Sequence, residues 1–170
     1  MTITELPPGN YIVDAIASHI GFEAKAVLGL KVKGSFGRFE SVIVIRDSPA
    51  ASTMHLTVHT DSVRTGISMR DKHLRAHNVL AVETFPTFEF QSTTILEADT
   101  GYDVEGILCV RDISQPVTFH ATPLEQLGPA RYAAEMVLKP GDFGITRSGT
   151  TKPLKVRLDV TLTPQPAPVH

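Results

Sequence analysis

The residues best suited to chemistry are concentrated in one short segment, RDKHLRAH, at Arg70–His77. His73 and His77 are four positions apart, which would place both imidazoles on one face of a helix, as a metal site requires. A zinc site also needs a third protein ligand, and the HExxH pattern with its catalytic glutamate is absent. We therefore interpret the segment as a solvated helix and predict no metal site.

The sequence offers little support for nucleophilic catalysis. It contains no G-x-S-x-G motif, and no pair of carboxylates stands in a context that would raise a pKa. The single cysteine, Cys109, lies within an apolar strand-like run, which favours a structural role. Asp142 and Arg147, near the last turn, are predicted to pair with each other. We predict that the protein is not an enzyme.

Length, charge and cysteine content exclude several classes of protein. A chain of 170 residues is the size of one domain and can bury a core without disulfides or metals. Its formal net charge of −2 leaves no basic excess, so we predict no nucleic-acid partner. One cysteine allows neither an intrachain disulfide nor a cysteine-based zinc cluster.

The RDKHLRAH segment is best explained as a short helix that closes a β-structure. Ser68 and Asp71 are three residues apart and have the form of a capping box. Asp71 and Arg75 are four apart and are predicted to pair on the helix surface. These features predict a helix at about 69–77, in which Asp71 has a structural role and is not an acid or base.

Apolar and polar residues alternate along most of the chain, which is typical of half-buried β-strands. Turn-rich pieces separate the alternating runs, and there is no internal repeat, βαβ rhythm or glycine-rich phosphate loop. About eight strands with one helical interruption predict an all-β antiparallel barrel or sandwich. The runs are IGFEAKAV, VIVIRD, MHLTVHT, FEFQST, YDVEGILCV, VTFHA, YAAEMVL and LKVRLDVTL.

Several strands have one apolar and one polar face, as where Phe88 and Phe90 oppose Glu89 and Gln91. In a closed sheet the apolar faces point inward, and an eight-stranded barrel either fills its interior or holds one small ligand there. With no tryptophan and 6% aromatic residues, the composition is compatible with both. The side chains predicted to face the interior, and to contact any ligand held there, are Phe22, Leu56, Val58, Phe88, Phe90, Leu108, Phe119, Met136, Leu158 and Val160.

The order of motifs resembles that of the YceI-like family. Residues 62–92, SVRTGISMRDKHLRAHNVLAVETFPTFEFQS, resemble its central block, in which a threonine-containing strand end, an Arg-Asp-x-His-Leu helix and a Tyr/Phe-Pro-x-x-x-Phe strand follow one another. This block is specific, and four other matches support it. They are YIVDAIASHIGF, VKGSFGRFES, YDVEGILCVRDISQPVTF and DFGIT, so that the resemblance covers about residues 10–163.

The resemblance implies an eight-stranded antiparallel lipocalin-like β-barrel with the short helix near one end. Its apolar interior would accommodate a long-chain isoprenoid or related lipid, such as an isoprenoid quinone or a polyprenyl lipid. We therefore expect binding, storage or transport of that lipid, with no cofactor besides it. Arg70, Asp71 and His73, near the barrel mouth, are the candidates for contact with the head group.

Two other functions remain open. The protein could act as an enzyme on an isoprenoid or quinone in the same cavity, with Arg70, Asp71 and His73 as its polar groups, and a pH-dependent turnover would reveal this. Alternatively, the barrel is filled by side chains and serves as a stress-related interaction module. Analysis of lipids extracted from the purified protein distinguishes a lipid carrier from a filled barrel.

The two ends of the sequence lead to expectations about domains and location. We expect a YceI-like barrel at 8–164 and an extended proline-rich tail at 165–170. The beginning, MTITELPPGNYIVD, has no basic n-region, and no segment approaches the ~20 apolar residues of a membrane helix. We therefore expect a cytoplasmic bacterial protein without stable membrane insertion, although many relatives are periplasmic. A homodimer is compatible with the resemblance, because relatives are often dimeric.

Overall fold

The computed structural model describes residues 6–25, 30–124, 130–146 and 153–165, and β-strands dominate them. Within these ranges it contains eleven strand segments and one α-helix, α1 (Ser68–Arg75). Residues 166–170 of the predicted tail lie outside the described residues. The segments are β1 (Gly9–Val13), β2 (His19–Lys25), β3 (Lys31–Phe36), β4 (Phe39–Ile45), β5 (Thr53–His59), β6 (Val63–Arg64), β7 (Thr87–Glu97), β8 (Tyr102–Val110), β9 (Ile113–Leu124), β10 (Ala130–Leu138) and β11 (Leu154–Pro164).

The segments form one closed antiparallel barrel. Their order is β1-β4-β5-β7-β8-β9-β10-β11-β2-β3-β6, and an additional pairing of β1 with β11 closes the ring. β1 and β2 lie end to end along β11. In the same way β4 and β3 continue each other, as do β5 and β6. The eleven segments therefore make eight long strands, which confirms the predicted barrel with one short helix.

Local hydrogen bonds explain two of the breaks within long strands. Between β1 and β2, the Asp14 carboxylate accepts hydrogen bonds from the backbone N–H groups of Ile16 and Ala17, at 2.9 and 3.2 Å. This is the way that aspartate commonly stabilises a turn. Between β5 and β6, the Ser62 hydroxyl donates to the His59 carbonyl at 2.6 Å within a 3-10 turn. Each break bends a strand and so helps the sheet to curve into a barrel.

Three tyrosines fill the end of the barrel near the β7–β8 hairpin, here called the closed end. The ring centroids of Tyr102 and Tyr132 are 6.1 Å apart, and the Tyr11 hydroxyl donates to the Pro7 carbonyl at 2.7 Å. Burial, reinforced by repulsion from Tyr102 and Tyr11, raises the pKa of Tyr132 to about 12. All three tyrosines therefore belong to the packed core at this end.

The beginning of α1 differs from the prediction in its hydrogen bonds. Ser68 is the first helical residue, so it does not cap the helix, and no side chain caps it at Ile67. Instead Asp71 Oδ1 accepts hydrogen bonds from the Thr65 backbone N–H at 2.8 Å and from the Thr65 hydroxyl at 2.5 Å. Asp71 thus ties the helix to the strand before it, in place of the predicted capping box and pairing with Arg75.

The segment after α1 folds over the opposite end of the barrel, here called the open end. The helix stops at Arg75 because the chain turns inward and buries Val79 and Leu80, which are 2% and 8% exposed. These two residues join a small apolar cluster with Val63, Val110, Phe143 and Ile145. The cluster covers part of the open end and leaves a space between itself and the closed end.

Candidate functional site

An apolar cavity of about 350 Å³ occupies the half of the barrel toward the open end. Its wall is formed by alternate residues of β2, β3, β5 and β7–β11, because successive side chains of a strand point to opposite faces. Residues of α1 and of the segment after it complete the wall at the open end. The size lies within the range of about 300–1,000 Å³ that ligand pockets usually have.

Nine of the ten predicted interior residues line this cavity, and Val160 does not. Val160 lies opposite Tyr132 in the β10–β11 register and packs against the main core. It therefore belongs to the closed end, where side chains fill the barrel. The nine residues that line the cavity are Phe22, Leu56, Val58, Phe88, Phe90, Leu108, Phe119, Met136 and Leu158. Contact of these side chains with a ligand stays a prediction.

Aromatic rings line much of the wall. The ring centroids of Phe22 and Phe36 are 5.7 Å apart, and those of Phe36 and Phe88 are 5.4 Å apart. Deeper in the barrel, Phe90 and Phe119 lie 5.6 Å apart. Tilted and edge-on rings at these separations attract each other, so the wall is held in shape by its own contacts.

Two glycines allow the rings to lie against the wall. A side chain at Gly34 would collide with the ring of Phe22, and one at Gly106 would collide with the ring of Phe90. Both glycines are therefore covered by an aromatic ring from a paired strand. Because the rings occupy the space that a larger residue at Gly34 or Gly106 would need, they lie close to the wall and leave the middle of the barrel open.

Arg70 and His73 line the cavity at its mouth, whereas Asp71 does not. The Arg70 guanidinium donates to the Thr65 hydroxyl at 2.8 Å through Nε and to the Thr65 carbonyl at 2.9 Å through Nη2. Thr65 in turn donates to Asp71. Asp71 therefore positions Thr65 and, through it, Arg70, whose cationic group lies at the edge of an apolar space.

The segment after α1 supplies cavity residues that the sequence analysis missed. Val79 and Leu80 line the cavity, as do Leu74 of α1 and, from the turn before β11, Phe143 and Ile145. The apolar run VLAV directly after the predicted helix was a usable signal for Val79 and Leu80. A run of four residues is too short to show a repeating period, however, so the sequence does not reveal whether its side chains face the barrel interior.

The other residues considered for chemistry lie away from the cavity. Cys109 is half-buried and does not line it, although its neighbours Leu108 and Val110 do. His77 does not line it either, and no group of three or more His, Cys, Asp or Glu in the described ranges could hold a metal ion. The Asp142 backbone carbonyl accepts from Gln115 Nε2 at 2.9 Å, and its predicted partner Arg147 lies outside the described residues.

Two solved structures have folds similar to this one. BcnA of Burkholderia cenocepacia superposes with a TM-score of 0.79 at 17% identity, covering 89% of this chain and 99% of its own. A polyisoprenoid binding domain from Saccharophagus degradans, implicated in plant cell wall breakdown, gives a TM-score of 0.71 at 16% identity, covering 91% and 98%. At these low sequence identities, the similarity shows a shared fold and nothing more.

Sequence comparison identifies the family. A UPF0312 protein of Yersinia pestis (strain Pestoides F) is 32% identical over 146 residues, which cover 81% of this chain and 76% of that protein. Protein YceI of Salmonella newport (strain SL254) is 30% identical over the same coverage. The family described as YceI-like domain matches residues 11–165. The chain therefore belongs to the YceI-like domain family.

Proposed function

We propose that this protein binds a long-chain isoprenoid or related lipid, with the tail in the barrel cavity, and stores or transports it. The observation that carries the proposal is a cavity lined almost entirely by apolar side chains inside a barrel that is filled at one end only. A related fold, from Saccharophagus degradans, is described as polyisoprenoid-binding, which supports the same class of ligand.

Apolar contact alone would give useful affinity. Ligands of this class bind with roughly −0.3 kcal/mol per heavy atom, so every ten carbons of tail held in the cavity would contribute on the order of −3 kcal/mol. Tilted aromatic rings and aliphatic side chains suit a branched or bent hydrocarbon, since none of them demands a polar partner. The closed end, filled by Tyr11 and Tyr132, sets where the tail must stop.

The lipid head group is proposed to lie at the mouth, beside Arg70 and His73. Arg70 uses Nε and Nη2 for Thr65, and within the described residues Nη1 has no recorded protein partner, so it remains available to an acceptor oxygen. No carboxylate lines the cavity in the described part of the chain. This arrangement favours head groups that accept hydrogen bonds, such as carbonyl, hydroxyl, carboxylate or phosphate, over cationic ones.

Lipid extraction from purified protein tests the proposal. The protein would be expressed, washed free of membrane and extracted with organic solvent, and the extract analysed by mass spectrometry and quantified against protomer concentration. We expect a long-chain lipid in near-stoichiometric amount. A filled barrel of similar size, extracted in the same way, gives the background level of lipid. The proposal would be contradicted if the extract contained no lipid above that background and the protein also failed to take up added polyprenol.

A further inference from the structure

Among the residues that the structure describes, exposed charges of opposite sign predominate at the two ends of the barrel. The whole chain has a formal net charge of only −2, so this is a separation of charge along the barrel and not a general excess. At the open end, the positive charge of Lys31 is partly offset by the Glu23 carboxylate, whose Oε1 lies 3.4 Å from Lys31 Nζ. Within the described ranges, the exposed cations at the open end include Lys25, Lys31, Arg64, Lys72 and Lys139, and the exposed acids there are Glu83, Asp112 and Asp142. In the same ranges, the exposed acids at the closed end are Asp47, Glu97, Asp99 and Asp103, with Arg46 as the exposed cation.

Exposed apolar side chains flank the cavity mouth among these cations. Met69 is 85% exposed and Ile67 is 52% exposed, and both lie just before Arg70, which lines the cavity. Leu30, 67% exposed, leads into β3, whose Val32 also lines the cavity. We call Leu30, Ile67 and Met69, together with Lys25, Lys72 and Lys139, the mouth rim. Apolar tips surrounded by cations are the combination that favours contact with anionic lipid head groups.

We propose that the mouth rim docks reversibly onto an anionic lipid bilayer, with the cavity opening toward the membrane. Met69, Ile67 and Leu30 would enter the head-group region, and the lysines would contact phosphate groups. Docking is an activity separate from lipid binding, and only its biological role rests on the proposed function. In that role, docking would let an apolar tail pass between the bilayer and the cavity without crossing water.

The separation of charge determines which end approaches the membrane. Strand β11 has 11 residues, and barrel strands tilt by about 35–45° from the axis, so the two ends are separated by roughly 25 Å along the barrel. Electrostatic screening acts over about 8 Å at physiological salt, so the acids of the closed end scarcely oppose docking of the open end. The same charges disfavour two copies meeting mouth to mouth, because a twofold contact would bring like charges together.

Vesicle sedimentation tests the docking. Purified protein is mixed with phosphatidylcholine vesicles prepared with or without phosphatidylglycerol, at low and high salt, and the bound fraction is measured. We expect binding to the vesicles that contain phosphatidylglycerol, with loss at high salt. Lys72→Glu should weaken this binding by roughly fivefold or more, the size expected for charge reversal at an anionic surface. Met69→Ser should weaken it severalfold.

Matched variants away from the mouth serve as controls. Ile16 is 99% exposed on the barrel wall between β1 and β2, and Arg46 follows β4 at the closed end. Ile16→Ser and Arg46→Glu remove the same kinds of group and should leave vesicle binding unchanged. Circular dichroism and the thermal midpoint confirm that each variant is folded. Equal effects of mouth and control variants would overturn the docking surface.

Other results separate this inference from the proposed function. If the protein carries a full lipid load but does not bind anionic vesicles, docking is refuted and the proposal of lipid binding stands. Protein that binds vesicles through the mouth rim but neither retains nor takes up polyprenol supports docking and refutes the proposed function. Self-association that depends on Met69, without vesicle binding, would assign the rim to a second copy of this chain and overturn the inference.

Discussion

Phe90 illustrates how one residue contributes to both the wall and the open space of the cavity. It is 5% exposed, its ring covers Gly106, and it lies beside Phe119. The next residue, Gln91, points to the opposite face and is exposed. The two neighbours therefore provide a matched test of whether a tail runs past this point of the barrel.

We predict that Phe90→Asp lowers the recovered lipid per folded protomer far more than Gln91→Asp does. A carboxylate facing an apolar space costs several kcal/mol of desolvation or draws in water, and both effects compete with a hydrocarbon tail. Arg70→Ala, which removes a contact at the mouth, should reduce the load less. The load is measured by mass spectrometry, with circular dichroism to confirm folding. A folded Phe90→Asp protein with full load would place the tail elsewhere.

Gly34 sets the space left beside Phe22. The three atoms nearest to a methyl group there all belong to the Phe22 ring, so the ring must move. At Gly106, by contrast, an added carbon would also lie 2.5 Å from the Gln91 backbone oxygen, which cannot yield so easily. The two glycines should therefore respond differently to the same substitution.

We predict that Gly34→Ala lowers lipid capacity while Gly106→Ala mainly lowers stability. Overpacking typically costs about 1–3 kcal/mol where the surroundings cannot relax. At Gly34 the ring can swing toward the cavity, which reduces its volume instead. Lipid uptake and urea unfolding measure the two effects separately. The double variant Gly34→Ala, Phe22→Ala should regain capacity, and its failure to do so would show that the ring is not the obstacle.

The raised pKa of Tyr132 leads us to predict that the free energy of unfolding falls at alkaline pH. Its pKa is raised to about 12 in the folded protein from an ordinary value near 10, so the unfolded chain loses its proton first. The contribution is fully present below pH 10 and decreases by about 2 kcal/mol as pH rises toward 12. Urea unfolding from pH 9 to 12 measures it. Tyr132→Phe should show a shallower decline, and identical declines would contradict the assignment.

At the scale of elements, α1 depends on a contact outside itself. Asp71 accepts two hydrogen bonds from Thr65, and Thr65 holds Arg70. We predict that Asp71→Ala lowers the free energy of unfolding by about 1 kcal/mol, the size of a lost cap, and changes lipid affinity by no more than a few fold. His77→Ala, an exposed residue just after the same helix that neither lines the cavity nor belongs to the mouth rim, is the control. Loss of lipid binding in a stable Asp71→Ala protein would give Asp71 a direct role.

The strands show which elements a pattern can reveal. Long segments such as β7 and β11 alternate over many residues, and their inward faces were predicted from that alternation. The short segments β1 and β3 have 5 and 6 residues and were missed as strands. β6, with 2 residues, was predicted only as the strand end before the helix. A short segment contains too few alternations to be recognised, and its pairing depends on a partner strand that is distant in sequence.

For the whole molecule, we predict that bound lipid stabilises the barrel. A ligand present at 100 times its dissociation constant adds about 2.7 kcal/mol, and for a chain of this size that corresponds to roughly 5–10 °C in thermal midpoint. Delipidated protein should therefore melt lower than protein as purified, and added polyprenol should restore the midpoint. Scanning calorimetry measures both. Equal midpoints in protein shown to carry lipid would place that lipid outside the folded core.

The sequence by itself determined the barrel class, the helix between β6 and β7 and the residues that face inward on most strands. Alternation and composition are local properties, and the family motifs cover nearly the whole chain, so these features needed no knowledge of contacts. Nine predicted interior residues line the cavity for this reason.

Only the tertiary structure decided that the barrel is filled at one end and open at the other. Alternation directs Val160 inward as it directs Leu158, yet Val160 lies opposite Tyr132 in the filled end while Leu158 lines the cavity. It also decided that Asp71 turns to Thr65 and that rings cover Gly34 and Gly106. These outcomes depend on which side chains meet across strands far apart in the chain, and sequence periodicity contains no record of such pairings.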